Sequence, residues 1–444
     1  MENRPIQIIG GGLAGCEAAL TLAKHGHQVE LWEMRPSVPT PAHSTDRLAE
    51  LVCSNSFKGL GLASAHGLAK EELSILGSSL LPLAFQARVP AGESLAIDRD
   101  RFSHLVESAL EAMPNVTIRR EEATSIDPDR WTLVAAGPLA SDAIHARLAE
   151  LVGGSRMSFF DAIAPIVAAD SLDWDQCWKA NRWDKGDGAD FINCPLDRPT
   201  YEAFVAGLVE ADRVEPKPFE PKELFEGCLP IEEMARRGLE TLRHGPMRPI
   251  GLDNPKTGRR PWAALQLRAE NDAGTLYNLV GCQTRLKWPE QKRLFSMIPA
   301  LANAEFVRLG SMHRNSFVES PAVLARDFSL GAHPNVFLAG QITGAEGYTE
   351  ALATGWYAAT QMHHRIRSGT PRPLPDQTAL GSLVRFLTTP RGPEAPGFQP
   401  MNMNFGLLPE PTFPQGSRKK DKGLRKSLQA QAALVAAQEW VAGA

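Results

Sequence analysis

Ile6-Gln7-Ile8-Ile9-Gly10-Gly11-Gly12-Leu13-Ala14-Gly15 decides the fold. Four apolar-rich residues read as a short buried strand. A GxGxxG pattern at positions 10, 12 and 15 follows. A helix then begins at once, with Leu13, Ala14, Cys16, Ala18, Ala19, Leu20, Leu22 and Ala23, and ends at His25-Gly26-His27. Val29-Glu30-Leu31-Trp32-Glu33 is a second strand, and Glu33 lies 18 residues after Gly15. Each part has a physical task in dinucleotide binding. Gly10 allows the tight turn, Gly12 lets backbone approach a pyrophosphate, and Gly15 lets helix and strand pack closely. Gly11, Leu13 and Ala14 complete the cradle, whose N–H groups and positive helix end hold phosphates. Glu33 is placed to accept hydrogen bonds from ribose hydroxyls. Cys16 reads as a small core residue.

A second strand–turn–helix comes late. Pro334-Asn335-Val336-Phe337-Leu338-Ala339-Gly340-Gln341 leads through a Gly-rich turn, Gly344-Ala345-Glu346-Gly347-Tyr348, into an apolar helix through Glu350, Leu352, Gly355 and Ala359. In two-segment FAD proteins such a strand and helix return to the first unit, so FAD is expected as the resident cofactor. Many carry Gly-Asp at the turn, whereas Gly340-Gln341 stands here; an amide still bonds a ribityl hydroxyl. Trp131–Pro138 reads as the strand closing the first half. Leu95-Ala96-Ile97 reads as a strand passing into a helix with Phe102, Leu105, Val106, Ala109 and Leu110 on one face, capped by Asp100 or Ser103. The expected fold class is α/β: a two-segment Rossmann-like FAD-binding domain with an inserted α+β domain. Residues 1–160 are its first segment, 161–325 the insertion, and 326–444 the return segment and tail. Glu215–Glu223, rich in Pro and charge, reads as an exposed loop or hinge.

The chain has 444 residues, 43% hydrophobic and 22% charged, which excludes disorder along its whole length. No stretch approaches the roughly 18–20 apolar residues of a membrane helix, and the N-terminus has no signal-type pattern. Six cysteines at 16, 53, 177, 194, 228 and 282 form no CxxC or CxxxxC, and no HExxH occurs. No metal is therefore expected, and free thiols in a reducing cytoplasm are. The net charge is −4, yet Met234–Arg293 carries 12 Lys+Arg against 5 Asp+Glu, with Trp262, Tyr277 and Trp288 interleaved. Ser417–Ser427 has six basic residues and one Asp. Basic stretches with aromatics suit a polyanion such as nucleic acid; a solvated basic surface is the bland alternative.

Three further segments carry a likeness: Leu51-Val52-Cys53-Ser54-Asn55-Ser56-Phe57; Phe225-Glu226-Gly227-Cys228-Leu229-Pro230-Ile231-Glu232; and Gly281-Cys282-Gln283-Thr284-Arg285-Leu286-Lys287, with Met312-His313-Arg314-Asn315 downstream. With the two glycine motifs, they make nearly the whole chain resemble the TrmFO family, folate- and FAD-dependent tRNA (uracil-5-)-methyltransferases related to the GidA flavoproteins of tRNA wobble modification. The resemblance implies formation of 5-methyluridine in the tRNA T-loop. Its carbon would come from 5,10-methylenetetrahydrofolate and its reducing power from NADH or NADPH, with FAD between them. Cys53 and Cys228 match the family's functional cysteines. Cys228 is expected to add to uracil C6 and Cys53 to lie near the flavin, although the reverse assignment stays open. Arg285, Lys287, Trp288 and His313 are candidates for the folate, each with a packing or surface role as the alternative. Two other readings stand beside this one: a plain FAD-dependent NAD(P)H oxidoreductase on a small molecule, and a GidA-like component of wobble modification.

Overall fold

Two six-stranded sheets carry the chain in this computed structural model. It describes residues 4–40, 42–153, 156–162, 164–185, 188–214, 229–270, 273–310, 312–392, 398, 400–414 and 421–443, with only the backbone described over 156–162 and 312–316. In chain order the first segment gives β1 (Ile6–Ile9), α1 (Leu13–Lys24), β2 (Val29–Trp32), α2 (Arg99–Glu111), β3 (Val116–Arg119) and β4 (Thr132–Val134). The middle of the chain gives β5 (Ile166–Ala168), β6 (Trp178–Lys179), β7 (Phe191–Leu196), β8 (Ala263–Ala269), β9 (Leu276–Leu279) and β10 (Phe306–Arg308). Then come β11 (Ser329–Leu330), β12 (His333–Leu338), α3 (Tyr348–Ser368) and α4 (Lys422–Ala442).

The first sheet has the order β11-β12-β4-β1-β2-β3, parallel except for the edge strand β11. Ile8 faces Leu31 on one side and Leu133 on the other, and Leu133 faces Phe337 in turn. All four are fully buried, as the apolar runs require of a parallel sheet covered by helices. The late strand β12 thus lies beside β4, as the return motif predicts. Asp98, not Asp100 or Ser103, caps α2: its side chain accepts from the Arg101 N–H at 3.0 Å. The helix starts at Arg99, so Asp100 sits in the first turn and Ser103 is buried inside.

The second sheet has the order β6-β7-β8-β9-β5-β10, with every pair antiparallel. Alternation divides its faces. Ile192, Leu265, Leu267, Tyr277, Leu279 and Val167 point into a core of their own with Tyr201, Phe204 and Phe295. The other face carries a cross-strand row, Phe191–Arg268–Asn278–Ile166–Arg308, plus Gln266 and Asn193 one step along. An irregularity between Phe306 and Arg308 turns Arg308 onto this polar face while Phe306 packs on the apolar one. The segment Glu215–Glu223 lies outside the described residues.

The two halves of the first unit meet where α1 crosses α3. A Cβ on Gly355 would lie 2.3 Å from the Ala14 carbonyl oxygen and 2.8 Å from its Cα. No side chain fits there. Gly355→Val is expected to destabilise the protein by about 1–3 kcal/mol or more, read as a lower denaturation midpoint; an unchanged midpoint would refute the close crossing.

Candidate functional site

The turn after β1 is built by steric necessity. Gly10 has φ +108, a region open to glycine. A Cβ on Gly15 would sit 1.9 Å from the Gly10 carbonyl oxygen, so helix and turn touch through bare backbone. A side chain on Gly12 would meet nothing within 4 Å, because Gly12 faces a cleft. The start of α1 opens into that cleft with no side chain capping it, which leaves its first N–H groups for a ligand.

The cleft encloses about 990 Å³ including its open mouth. Gly10–Ala14 form one wall, Trp32–Arg35 and His43 another, and Ala135–Pro138 a third. The second strand–turn–helix closes the remaining side with Gly340, Gln341, Tyr348 and Ala351. The nine residues expected to hold the dinucleotide include Gly15, which acts by packing beneath the turn; the other eight line this one cleft. Cys16 is buried behind it, its thiol donating to the Gly11 carbonyl at 3.2 Å.

Glu33 is held more tightly than the sequence alone suggests. One carboxylate oxygen accepts from the Gly11 N–H at 3.1 Å; the other accepts from the Arg35 N–H at 3.0 Å and Nε at 2.8 Å. Burial pushes its pKa up, but the Arg35 guanidinium and N–H outweigh it, so the carboxyl titrates below the ordinary 4.5. Arg35 in turn bonds Glu50 at 3.1 Å. Gln341 donates to Glu346 at 3.0 Å, which fixes the amide at the turn where a carboxylate is common. A helix end without a cap, a glycine facing open space and an ionised carboxylate one strand away fit the phosphates and ribose of a dinucleotide.

Cys53 is half-buried on the loop that follows, next to cleft residue Val52. Four elements hold this loop. The Tyr348 hydroxyl, at the start of α3, accepts from the N–H of Cys53 at 2.9 Å and of Ser54 at 3.1 Å. Arg99, at the start of α2, donates to the Leu51 carbonyl at 2.8 Å and pairs with Glu270 at 2.8 Å. Asn55 donates to the carbonyls of Ile97 and Ala269. Its own side-chain oxygen accepts from Arg268 of β8 at 2.9 Å. Burial, then the neighbouring Cys53, raises the Tyr348 phenol well above its ordinary value, so it stays neutral. Tyr348, Arg99, Asn55 and Arg268 were assigned no role from sequence. Tyr348 and Asn55 stand inside quoted motifs, but their partners come from distant segments.

The remaining candidates lie elsewhere. Arg285 is paired with Glu233 and lies 3.9 Å from buried Glu232, which accepts from its N–H and from Thr284. Lys287 pairs with Asp212 at 3.2 Å, and Trp288 is 64% exposed. None of these three lines the cleft. His313 is on the ribbon Met312–Val318, where only its backbone is described. Cys228 lies outside the described residues. Among the described residues the five cysteines are free, no group of three or more His, Cys, Asp or Glu could hold a metal, and no helix is long and apolar enough to cross a membrane.

Two substitutions test this geometry. Tyr348→Phe keeps the ring but strips the acceptor from two N–H groups, at about 1–3 kcal/mol for each one left buried and unpaired. It is expected to lower stability and change the rate at which Cys53 reacts with a thiol reagent; unchanged values of both would refute the anchoring role. For Glu33 the folded pKa is depressed, so its stabilisation is full above the unfolded value of 4.5 and is lost as pH falls through the folded pKa. Stability is expected to drop on acidification below about 4.5, and Glu33→Gln to flatten that drop; a parallel curve in the variant would contradict it.

Residues 5–370 match the family of glucose inhibited division protein A. The methylenetetrahydrofolate–tRNA-(uracil-5-)-methyltransferase TrmFO of Geobacter sulfurreducens is 50% identical over 437 residues, covering 98% of this chain and 99% of the relative. TrmFO of Aquifex aeolicus is 49% identical over 434 residues, covering 98% and 96%. Among solved structures, Aquifex aeolicus GidA in its form II crystal superposes with a TM-score of 0.69 at 16% identity, covering 98% of this chain and 73% of that one, a likeness of fold. Cleft, sheet order and kinship over the full length agree: the chain belongs to the glucose inhibited division protein A family and, within it, to the TrmFO group.

Proposed function

We propose that the protein is a methylenetetrahydrofolate-dependent tRNA (uracil-5-)-methyltransferase that makes 5-methyluridine in the T-loop. FAD is its resident cofactor, and NADH or NADPH is its reductant in the cytoplasm. The observation that carries this reading is the placing of Cys53. It sits beside a dinucleotide cleft, on a loop fixed by Tyr348, Arg99 and Arg268, in a chain whose TrmFO relatives match it over nearly every residue.

Gly10–Ala14 would hold the pyrophosphate of FAD, Glu33 a ribose, and Gly340 and Gln341 the ribityl side. Bound there, FAD supplies the relay of the one-carbon unit and the two-electron reduction. The protein's own task is to activate the pyrimidine. Uracil C5 is a poor nucleophile. A thiolate adding to C6 pushes electron density onto C5, which then bonds the one-carbon unit; a base takes the C5 proton as the carrier leaves that carbon, and hydride reaching the exocyclic methylene completes the methyl group and expels the thiolate. Cys228 takes this role in our reading. Cys53, held at the cleft by two backbone N–H bonds to Tyr348, serves the carbon transfer or a proton step beside the flavin. The target base must leave its stack to reach either thiol. Arg285, Lys287, Trp288 and His313 are proposed as the folate side, within an inserted unit of 161–325 between the FAD segments 1–160 and 326–444.

The test is transfer of label from methylene-labelled tetrahydrofolate to undermodified tRNA with NADH or NADPH. Wild type is expected to label the T-loop uridine, and Cys53→Ala and Cys228→Ala at least a hundredfold less. A covalent RNA adduct absent only in Cys228→Ala identifies the nucleophile. FAD-loaded protein that oxidises NAD(P)H but labels no tRNA would sink the methyltransferase in favour of a small-molecule flavin enzyme.

A further inference from the structure

Trp183 combines features that a buried packing role does not require. Its side chain is 54% exposed. Its backbone is in the left-handed region, φ 53 and ψ 29, and Asp184 follows at φ 50. Two successive non-glycine residues there cost on the order of 1–3 kcal/mol each, and a bulky aromatic is a poor occupant. The surroundings enforce the pose. The Trp183 N–H donates to the Gly251 carbonyl at 3.0 Å. The indole lies so close to Gly251 that a Cβ there would come within 2.8 Å of its Cδ2 and Cε2. Arg182 bonds the carbonyls of Ile250 at 3.0 Å and Arg248 at 2.5 Å, which locks the two loops together. The exposed Arg248 guanidinium is 5.7 Å from the ring centre.

The ring also has a defined place relative to the site. Arg182 donates to Gln266 at 3.0 Å on the polar face of the second sheet. Gln266 is two residues before Arg268, about 7 Å along the same face, and Arg268 bonds Asn55 on the Cys53 loop. The exposed aromatic plate and the Cys53 loop are thus both tied to this one face of the second sheet, at Gln266 and at Arg268. An exposed plate with a guanidinium over it at 5.7 Å suits the π-face of any nucleobase, and a flipped substrate base leaves neighbours whose stack is broken.

We propose that Trp183 is a stacking platform for an unpaired base of the RNA substrate, at a distance from the uridine delivered toward Cys53. The assignment rests on the tRNA reading given above. Gly251 seats part of the indole, and the exposed remainder of the ring takes the base. Base–aromatic stacking of about 1–3 kcal/mol corresponds to roughly 5- to 150-fold in affinity.

The experiment measures the affinity of the FAD-loaded protein for an unmodified tRNA transcript. Trp183→Ala is expected to weaken binding about tenfold or more, with FAD content and thermal midpoint at wild-type values. Trp183→Phe is expected to stay within about threefold, and the salt dependence to be unchanged, because stacking releases no counterions. The quenching of indole fluorescence by the transcript is expected to lose a component in Trp183→Phe. Wild-type affinity in Trp183→Ala, or full quenching in Trp183→Phe, would overturn the assignment while wild-type methylation left the enzyme reading intact. Absence of tRNA binding by the wild-type protein would instead remove the methyltransferase reading and this platform with it.

Discussion

The close crossing of α1 and α3 is the constraint on which the rest depends. The first helix begins at a phosphate-type turn, and the second begins more than three hundred residues later beside Cys53. Both starts open into one cleft only if the helices nearly touch, and they do so where Gly355 meets the Ala14 carbonyl. Gly340 sits at the same junction, where an added Cβ would come 3.0 Å from that of Ala14. The Thr354 hydroxyl accepts from the Gly340 N–H at 2.9 Å, so the return turn is tied to the helix it feeds. Small residues at this crossing thus do for the cofactor side what Gly10 and Gly15 do for the phosphate side: they remove bulk so that backbone dipoles aim at one volume.

From that crossing the structure reaches outward through the Cys53 loop. Tyr348 is the first residue of α3, so the orientation of the return helix also sets the height of Cys53 above the cleft. Arg99 and Asn55 carry the same constraint to the second sheet through Glu270, Ala269 and Arg268. The thiol is thereby fixed by hydrogen bonds to parts of the chain that share no sequence proximity. Loss of any one partner leaves a buried donor or acceptor unpaired, which is costlier than the bond itself is favourable.

The parallel sheet was legible because its signals are local: apolar runs, a glycine turn and an acidic residue at fixed spacing. The return strand was legible for the same reason. The cap of α2 was misplaced by two residues or more, since Asp98, Asp100 and Ser103 are all good caps and only the strand's end decides among them. Tyr348 and Arg268 were not legible as anchors. Their meaning lies in pairings across 295 and 213 residues. Trp183 gave no signal either, because a left-handed backbone at a tryptophan has no sequence mark.

The basic stretch shows why charge counted along a chain overstates the charge offered to a partner. Arg243 stacks 4.0 Å from the Trp262 ring and pairs with Glu240. Arg285 is held by Glu233, Lys287 by Asp212, Arg293 by Glu290 and Arg260 by Asp253. Arg268 is used by Asn55. Two of these carboxylates, Asp212 and Glu233, lie outside the stretch in sequence and so were not set against it. An exposed pair contributes little to stability, yet it offsets the positive field that a phosphate meets. What this face offers a polyanion therefore depends less on summed charge than on the few exposed groups, of which Arg248 beside the Trp183 ring is the clearest: it is exposed, and no described carboxylate lies within ion-pair distance of it.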